Sequence, residues 1–190
     1  IHQSSITASH YALDSHAVRK REEGRVHLDG FLSYPSAVYT VPYGVMVPKE
    51  VGNLLLPVPV SGSHIGFSTL RMEPCWMAMG QAAGIASALS IDGKVKVQNI
   101  DLSRLQDKLV DQKATLMYFK DVDYTSPHFR MVQYLGLRGY LPEWTARLQE
   151  PVDMATLTAW KKLSGKDLPG IEAGKTTRLV ALEMIYRKIK

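Results

Sequence analysis

Residues 53–89 read NLLLPVPVSGSHIGFSTLRMEPCWMAMGQAAGIASAL, and the prediction of the fold class starts from this stretch. It opens with Asn53–Val60, whose apolar side chains run without alternation, as expected of a strand buried on both faces. The small residues that follow, 61–68, predict a loop. Glu73–Ile91 then predicts a helix, because Pro74 suits the first helical position. A buried strand, a loop and a helix in this order indicate an α/β protein.

The predicted helix carries a smooth face and an electropositive start. Gly80, Gly84 and Ala88 recur at four-residue spacing, so they share one face. Such a face lets another backbone or a flat cofactor approach closely, whereas the helix N-terminus attracts an anionic ligand atom. The spacing alone favours plain packing of the helix on a sheet, and ligand binding is the alternative.

Strands are predicted before this stretch and helices after it. The predicted strands are Ser5–Leu13, Arg25–Tyr34 and Ala37–Val47, the last broken by prolines. The predicted helices are Asp101–Leu116, His128–Arg138, Asp153–Leu163 and Thr176–Lys188. Because the character of the sequence changes near residue 118, we predict an α/β portion over residues 1–118 and an α-helical module over residues 119–190.

Composition excludes several classes of protein. With 190 residues, 45% of them hydrophobic and 22% charged, the chain falls in the globular range rather than the disordered or fibrous one. The net charge of +5 contains no block of five like charges, so we expect no nucleic-acid partner. The single cysteine cannot form an internal disulfide, and the histidines form no i, i+4 pair on a predicted helix, so no metal site is expected.

The uncharged run from residue 74 to residue 91 is long enough to raise the question of a membrane span. Its polar residues, Gln81, Ser87 and Ser90, favour a buried helix of a globular protein instead, so no span is expected. Residue 1 is Ile rather than Met, which indicates a processed protein or a piece of a longer one. The compartment stays open, with an exported or periplasmic location favoured over the cytoplasm.

A series of short motifs carries a family resemblance. The motifs are Leu13–His16, Val41–Tyr43, Val47–Lys49, Asn53–Val58, Ser61–His64, Ser68–Pro74, Met77 and Gly80–Ala86. Their order and spacing resemble the C-terminal end of a bacterial family of FAD-dependent oxidoreductases, some members of which carry the label xanthan lyase. The resemblance covers roughly residues 10–115.

This resemblance implies a glutathione-reductase-like flavoprotein fold, in which the last strand and helix of the FAD domain close over the flavin. Arg71 and the N–H groups after Pro74 would then stabilise negative charge on the reduced flavin. His64 would act as a proton donor or acceptor, since imidazoles titrate close to neutrality. The residues expected to bind the cofactor are Ser63, Met72, Glu73, Pro74, Gly80 and Gly84.

One part of the family pattern is missing from the sequence. The strand–Gly-x-Gly-x-x-Gly–helix unit that holds the FAD pyrophosphate occurs nowhere in the chain. The sequence therefore resembles a C-terminal fragment whose partner is the N-terminal remainder of the same polypeptide. We expect FAD in the intact protein, but neither tight FAD binding nor turnover by this chain alone.

The C-terminal module suggests a second class of function, a non-catalytic module that binds carbohydrate or the cell wall. Segments around Phe119, Arg138 and Thr177 are similar to S-layer-homology modules, although the acidic residue of one motif is missing. The candidate sugar-binding residues are Trp144 and Trp160, with Arg138, Arg147 and Arg178. Core packing of the tryptophans, in a small helical domain, is the alternative.

Three further residues have two interpretations each. Asp14 and His16 are either substrate-domain residues of the flavoprotein or ordinary turn residues. Cys75 lies in the first turn of the predicted helix, where a thiolate is favoured, but a packed cysteine fits better.

A polysaccharide lyase is a third candidate function. The sequence disfavours it, because no Tyr, His or Lys base is visible beside an acidic-sugar site.

Overall fold

The computed structural model describes residues 1–16, 23–24 and 30–190. The strands of these residues are β1 (Ser5–Ser9), β2 (Leu13–His16), β3 (Phe31–Tyr34) and β4 (Tyr39–Pro42). Their α-helices are α1 (His64–Leu70), α2 (Glu73–Gly93), α3 (Leu102–Asp111), α4 (Phe129–Leu137), α5 (Met154–Ser164) and α6 (Arg178–Ile189). Short 3-10 helices span Tyr43–Met46 and Val97–Asn99.

The strands form small antiparallel sheets. Within the described residues β1 pairs only with β4, across an irregularity between Ser5 and Thr7, and β2 pairs only with β3. The predicted strand Ser5–Leu13 is therefore two strands, separated at residues 10–12. Of the predicted strand Arg25–Tyr34, the end forms β3, while residues 25–29 lie outside the described residues. The result is a mixed α/β architecture, as the sequence indicated.

The predicted buried strand Asn53–Val60 is wrong. The segment has no strand structure, and the Val58 side chain is 45% exposed. Prolines at two of its eight positions remove N–H donors that a central strand needs. The Leu56 N–H instead donates to the Met46 carbonyl at 2.8 Å, which attaches the segment to the preceding 3-10 helix. The unalternating apolar run is thus a loop that packs on the 3-10 helix Tyr43–Met46.

The helices follow the sequence signals more closely. The predicted loop 61–68 is half wrong, because Ser63 caps α1 and its Oγ accepts the Gly66 N–H at 3.0 Å. The predicted helix Glu73–Ile91 is confirmed as α2, which spans Glu73–Gly93 and is followed by Lys94 in the left-handed conformation. Helix α3 ends five residues earlier than predicted, and α4 to α6 confirm the three short helices.

A single cluster of buried apolar side chains continues across residue 118. It includes Met79 and Ala86 of α2, Leu116 and Met117 of the connecting segment, and Leu182 of α6. The α-helical part therefore shares its core with the α/β part. The division at residue 118 stays a prediction about units, and the packing shows that the described halves contact each other extensively.

Gln133 holds the connecting segment inside this core. Its side chain is fully buried, and its Oε1 accepts the N–H groups of Leu116 and Met117 at 2.8 Å each. Its Nε2 donates to the Met117 carbonyl at 2.7 Å. On the other side, the Ser5 hydroxyl of β1 donates to the Leu116 carbonyl at 2.7 Å. Side chains thus provide the hydrogen bonds that the backbone of this buried, non-helical segment needs.

Replacing Gln133 by Leu keeps the side chain's approximate volume but leaves two buried N–H groups and one carbonyl without partners. We expect a loss of roughly 3–9 kcal/mol in the free energy of unfolding, at about 1–3 kcal/mol for each of the three orphaned groups. Urea unfolding measures it. Gln81→Leu, at an exposed position on α2, is the matched control and should change stability by about 0.5 kcal/mol or less. A loss below about 1 kcal/mol for Gln133→Leu would show that the hydrogen bonds of Gln133 do not hold the connecting segment in place.

Tyr43 makes the free energy of unfolding depend on pH in the alkaline range. Burial raises the pKa of Tyr43 from 10.0 to about 12, and its hydroxyl donates to the Val97 carbonyl at 2.9 Å. Between those two values the unfolded chain releases the phenol proton while the folded chain keeps it, so stability falls as pH rises. Tyr43 should account for about 2–3 kcal/mol of this loss.

Urea unfolding of Tyr43→Phe at several pH values from about 9 to about 12 measures this contribution. The variant should be less stable than wild type near neutrality by about 1 kcal/mol, yet lose less stability above about pH 10. Tyr34→Phe, at an exposed position, should follow the wild-type curve. Parallel curves for Tyr43→Phe and wild type would show that Tyr43 titrates normally.

Candidate functional site

Helix α1 packs on strand β2, and its polar side chains bind the strand's backbone. The Ser68 hydroxyl accepts the Asp14 N–H at 3.2 Å. The His64 Nε2 lies 3.0 Å from the His16 carbonyl oxygen. Because a carbonyl oxygen only accepts, the His64 Nε2 carries the proton of this hydrogen bond. The helix therefore fixes the position of β2, and the His16 carbonyl of β2 in turn fixes the tautomer of His64.

Thr69 adds a third attachment one residue further along α1. Its hydroxyl donates a short hydrogen bond to the Tyr11 carbonyl, just before β2. The Tyr39 hydroxyl donates to the Thr69 carbonyl at 2.9 Å and lies 2.7 Å from the Thr69 hydroxyl. Since Thr69 is buried, these bonds join α1, β4 and the approach to β2 in a region with little access to water.

Arg71 lies at the junction between α1 and α2 and forms an ion pair with Asp14. Its Nη2 is 2.5 Å from Asp14 Oδ2 and 3.4 Å from the Asp14 carbonyl oxygen. The guanidinium also lies 5.8 Å from the centre of the Tyr11 ring. Its Nε and Nη1 have no hydrogen-bond partner among residues 1–16, 23–24 and 30–190. The pair thus orients the guanidinium while using one of its three nitrogens.

The second oxygen of Asp14 binds His16. Residues 14 and 16 are two positions apart on β2, so their side chains lie on the same face of the sheet. There His16 Nε2 is 2.8 Å from Asp14 Oδ1. Phe31 lies opposite His16 on β3, and the two rings stack with centres 6.1 Å apart. The His16 side chain is 65% exposed, so the ring is open to solvent.

The structure brings some of the predicted site residues together. His64 and Arg71 both bind β2 and lie beside Asp14 and His16. Ser63 directly precedes His64 and caps α1. The remaining residues of the junction, Met72, Glu73 and Pro74, form the start of α2, with Glu73 and Pro74 exposed.

The helix N-terminus provides fewer free donors than the sequence indicated. Pro74 has no N–H, and the N–H groups of Cys75 and Trp76 both donate to the Met72 carbonyl, at 3.0 and 3.1 Å. The expectation that N–H groups directly after Pro74 are free for a ligand is therefore wrong. Within the part of the chain that the structure describes, Arg71 is the positive side chain that remains for a ligand at this junction.

Gly80 and Gly84 lie apart from this cluster. They follow Glu73 by seven and eleven residues, which is about 10 Å and about 16 Å along a helix. Both are exposed, and a Cβ built on either would meet no atom within 4 Å. The structure does not bring them to His64 and Arg71, and their cofactor-binding role stays a prediction.

Asp14 is the residue that sequence reasoning undervalued. The alternation of β2 gives a local signal that Asp14 and His16 share a face. Nothing local indicates the contact with Arg71, because 57 residues separate the two in sequence. The turn interpretation of Asp14 and His16 is wrong, since both lie in a strand.

The C-terminal part offers less of a carbohydrate surface than expected. Trp160 is 1% exposed, and its Nε1 donates to the Tyr140 carbonyl at 2.7 Å, so it packs in the core and cannot stack on a sugar. The Arg138 guanidinium lies 3.5 Å from the centre of the Tyr134 ring. Trp144 is half-buried against the core. The core-packing alternative is therefore the correct one for Trp160.

Several other features of the described residues bear on function. Cys75 is 6% exposed, and burial raises the pKa of its thiol, which favours the packed cysteine over an activated thiolate. Groups of three or more His, Cys, Asp or Glu that could hold a metal ion do not occur among these residues. Of the helices in the described ranges, none combines the length and apolar character needed to cross a membrane.

The buried Cys75 thiol should resist modification. We expect iodoacetamide to label the native chain roughly 100-fold or more slowly than the urea-denatured chain, because the thiol is both inaccessible and protonated. Mass spectrometry of the labelled chain over time measures the two rates. Native labelling as fast as denatured labelling would instead indicate an exposed or activated thiol.

A family model described as "FAD dependent oxidoreductase" matches residues 2–109, more than half of the chain. The matched part contains all four described strands, α1 and α2. It therefore includes Asp14, His16, His64 and Arg71. No curated protein and no solved structure matches the chain.

Proposed function

The chain belongs to the FAD-dependent oxidoreductase family, and we propose that it forms the C-terminal portion of the FAD domain, with one wall of the flavin site. The proposal includes a glutathione-reductase-like arrangement of the intact domain. When bound, FAD accepts or donates a hydride in exchange with the substrate. The residues of this chain position the ring, stabilise its charge and handle protons. By itself the chain does not turn over.

The observation that supports this proposal best is the state of the Arg71 side chain. It is 34% exposed, and one nitrogen is fixed by Asp14 while two others lack partners among the described residues. A positive group held in place before the reaction stabilises developing negative charge without reorganisation. The donor set therefore fits a flavin, whose reduced form is anionic at one edge of the ring.

Ser63 and His64 contribute polar atoms beside Arg71. The Ser63 oxygen accepts the Gly66 N–H, so its own hydroxyl proton is still available to donate. His64 keeps a proton on Nε2 for the His16 carbonyl, so its Nδ1 is the nitrogen that exchanges protons with a ligand. We assign both residues to the flavin-facing wall, together with Met72, Glu73 and Pro74 at the start of α2.

The exposed face of α2 is proposed to contact the N-terminal remainder of the FAD domain. Gly80 and Gly84 lie on this face between Met77 and Ile91, whose side chains are 75% and 76% exposed. A groove of about 620 Å³ borders the same helix at Ala78. Apolar side chains beside small residues suit the close approach of another protein element.

Titration of the isotope-labelled chain with FAD, followed by NMR, tests the assignment. We expect weak binding with amide shifts at His64, Arg71 and Glu73. Arg71→Ala should weaken binding by roughly tenfold or more, because one charge-assisted hydrogen bond is lost. The matched control is Arg104→Ala, at an exposed position on α3, which should bind as wild type does.

Two results would count against the proposal. The flavin-wall assignment would fail if saturating FAD shifted no amide at the α1–α2 junction, or if Arg71→Ala left the shifts unchanged. A purified chain that is yellow, with flavin absorbance at stoichiometric level, would show that the chain holds FAD without any further part of the domain.

A further inference from the structure

The carboxylate of Asp14 bonds two different groups at the site. Oδ2 pairs with Arg71 at 2.5 Å, and Oδ1 lies 2.8 Å from His16 Nε2. We infer that Asp14 and His16 form a proton-transfer pair, in which His16 accepts a substrate proton at Nδ1 and Asp14 is the positioning residue. The inference deepens the proposed function and rests on it for the reaction, although the pair itself is testable without flavin.

The hydrogen bond to Asp14 sets the tautomer of His16. An ionised carboxylate has only acceptor sites, so the neutral imidazole must carry its proton on Nε2. Nδ1 then holds the lone pair. It has no hydrogen-bond partner within the described residues, and the His16 side chain is 65% exposed. A substrate proton can therefore reach Nδ1 from the solvent side of the sheet.

Asp14 also compensates the charge that forms when His16 accepts a proton. The imidazolium would donate from Nε2 to a carboxylate already 2.8 Å away, so the positive charge forms beside a fixed negative one. Arg71 occupies the other oxygen and does not compete for Oδ1. The Tyr11 hydroxyl also lies near the carboxylate, 3.5 Å from Oδ2.

His16 is better placed for this role than His64. The Nε2 of His64 faces the His16 carbonyl, which is neutral and gives a protonated ring less stabilisation than a carboxylate does. The His16 ring also stacks on the Phe31 ring, with an angle of 29° between the two ring planes, which limits its rotation. The elements in contact with His16 thus fix its ring plane and its tautomer together.

The proposed oxidation releases a proton that such a group can accept. When a substrate alcohol or amine is oxidised, a C–H bond gives up a hydride, for which the flavin of the proposed function is the acceptor. The O–H or N–H bond then breaks, its electron pair forms the new double bond to carbon, and the proton moves to His16 Nδ1. Release of that proton from the exposed ring to water restores the neutral imidazole.

Carbethoxylation by diethyl pyrocarbonate tests the pair in the chain as it is. This reagent attacks an accessible, unprotonated ring nitrogen, and His16 and His64 are both exposed. His16 should react faster, because its Nε2–H bonds a carboxylate, which makes Nδ1 more nucleophilic than the carbonyl bonded by His64 does. Asp14→Asn should slow the reaction at His16 by roughly three- to tenfold, because a charge-assisted hydrogen bond becomes a neutral one. His128 serves as an internal reference, and Asp92→Asn, at an exposed position on α2, is the matched control. Mass spectrometry gives the rate for each histidine.

A second measurement needs no substitution, in case Asp14→Asn disturbs folding. The nitrogen chemical shifts of the neutral His16 ring in wild type should show a protonated Nε2 and an unprotonated Nδ1. Faster modification of His64, an unchanged His16 rate in folded Asp14→Asn, or a proton on Nδ1 would overturn the inference. None of these readouts uses FAD, so such a failure leaves the flavin proposal standing, and a failed FAD titration leaves the pair standing.

Discussion

The buried amide of Gln133 is the constraint on which the arrangement of both parts depends. It pairs with the backbone of Leu116 and Met117 from the α4 side, while the Ser5 hydroxyl pairs with the Leu116 carbonyl from the β1 side. Gln106 of α3 adds bonds to the carbonyls of Gln3 and Ser5, at 2.7 and 3.1 Å. Three buried polar side chains therefore join β1, α3 and α4, and each would be costly to leave unpaired.

This fixed position of β1 carries over to the candidate site. β1 pairs with β4, and Tyr39 at the start of β4 binds Thr69 of α1. α1 in turn binds the backbone of β2, where Asp14 divides its carboxylate between Arg71 and His16. The orientation of the Arg71 guanidinium thus depends on a chain of hydrogen bonds that begins in the shared core. Such preorganisation is what a group that stabilises developing charge requires.

The helices were the most predictable part of the fold, for local reasons. Helix α2 follows from Pro74 at its start and a long run of helix-compatible residues, and α3 follows from the Asp101 cap, whose carboxylate accepts two N–H groups. The buried strand expected at Asn53–Val60 failed because an apolar run shows only hydrophobicity, and two prolines prevented pairing. Strand pairing is non-local, and within the described residues it produced antiparallel pairs that the sequence alone did not specify.

The amino-acid sequence alone predicted the helices α2 to α6, the likeness to FAD-dependent oxidoreductases and the choice of His64 and Arg71 as candidate site residues. These depend on local spacing and on short motifs that can be read along the chain. The folded structure alone shows that Asp14 joins Arg71 to His16, because Asp14 and Arg71 lie 57 residues apart and meet when α1 packs on β2. It also decided that Trp160 belongs to the core. Burial and long-range hydrogen bonds are properties of the packed molecule, so no local pattern encodes them.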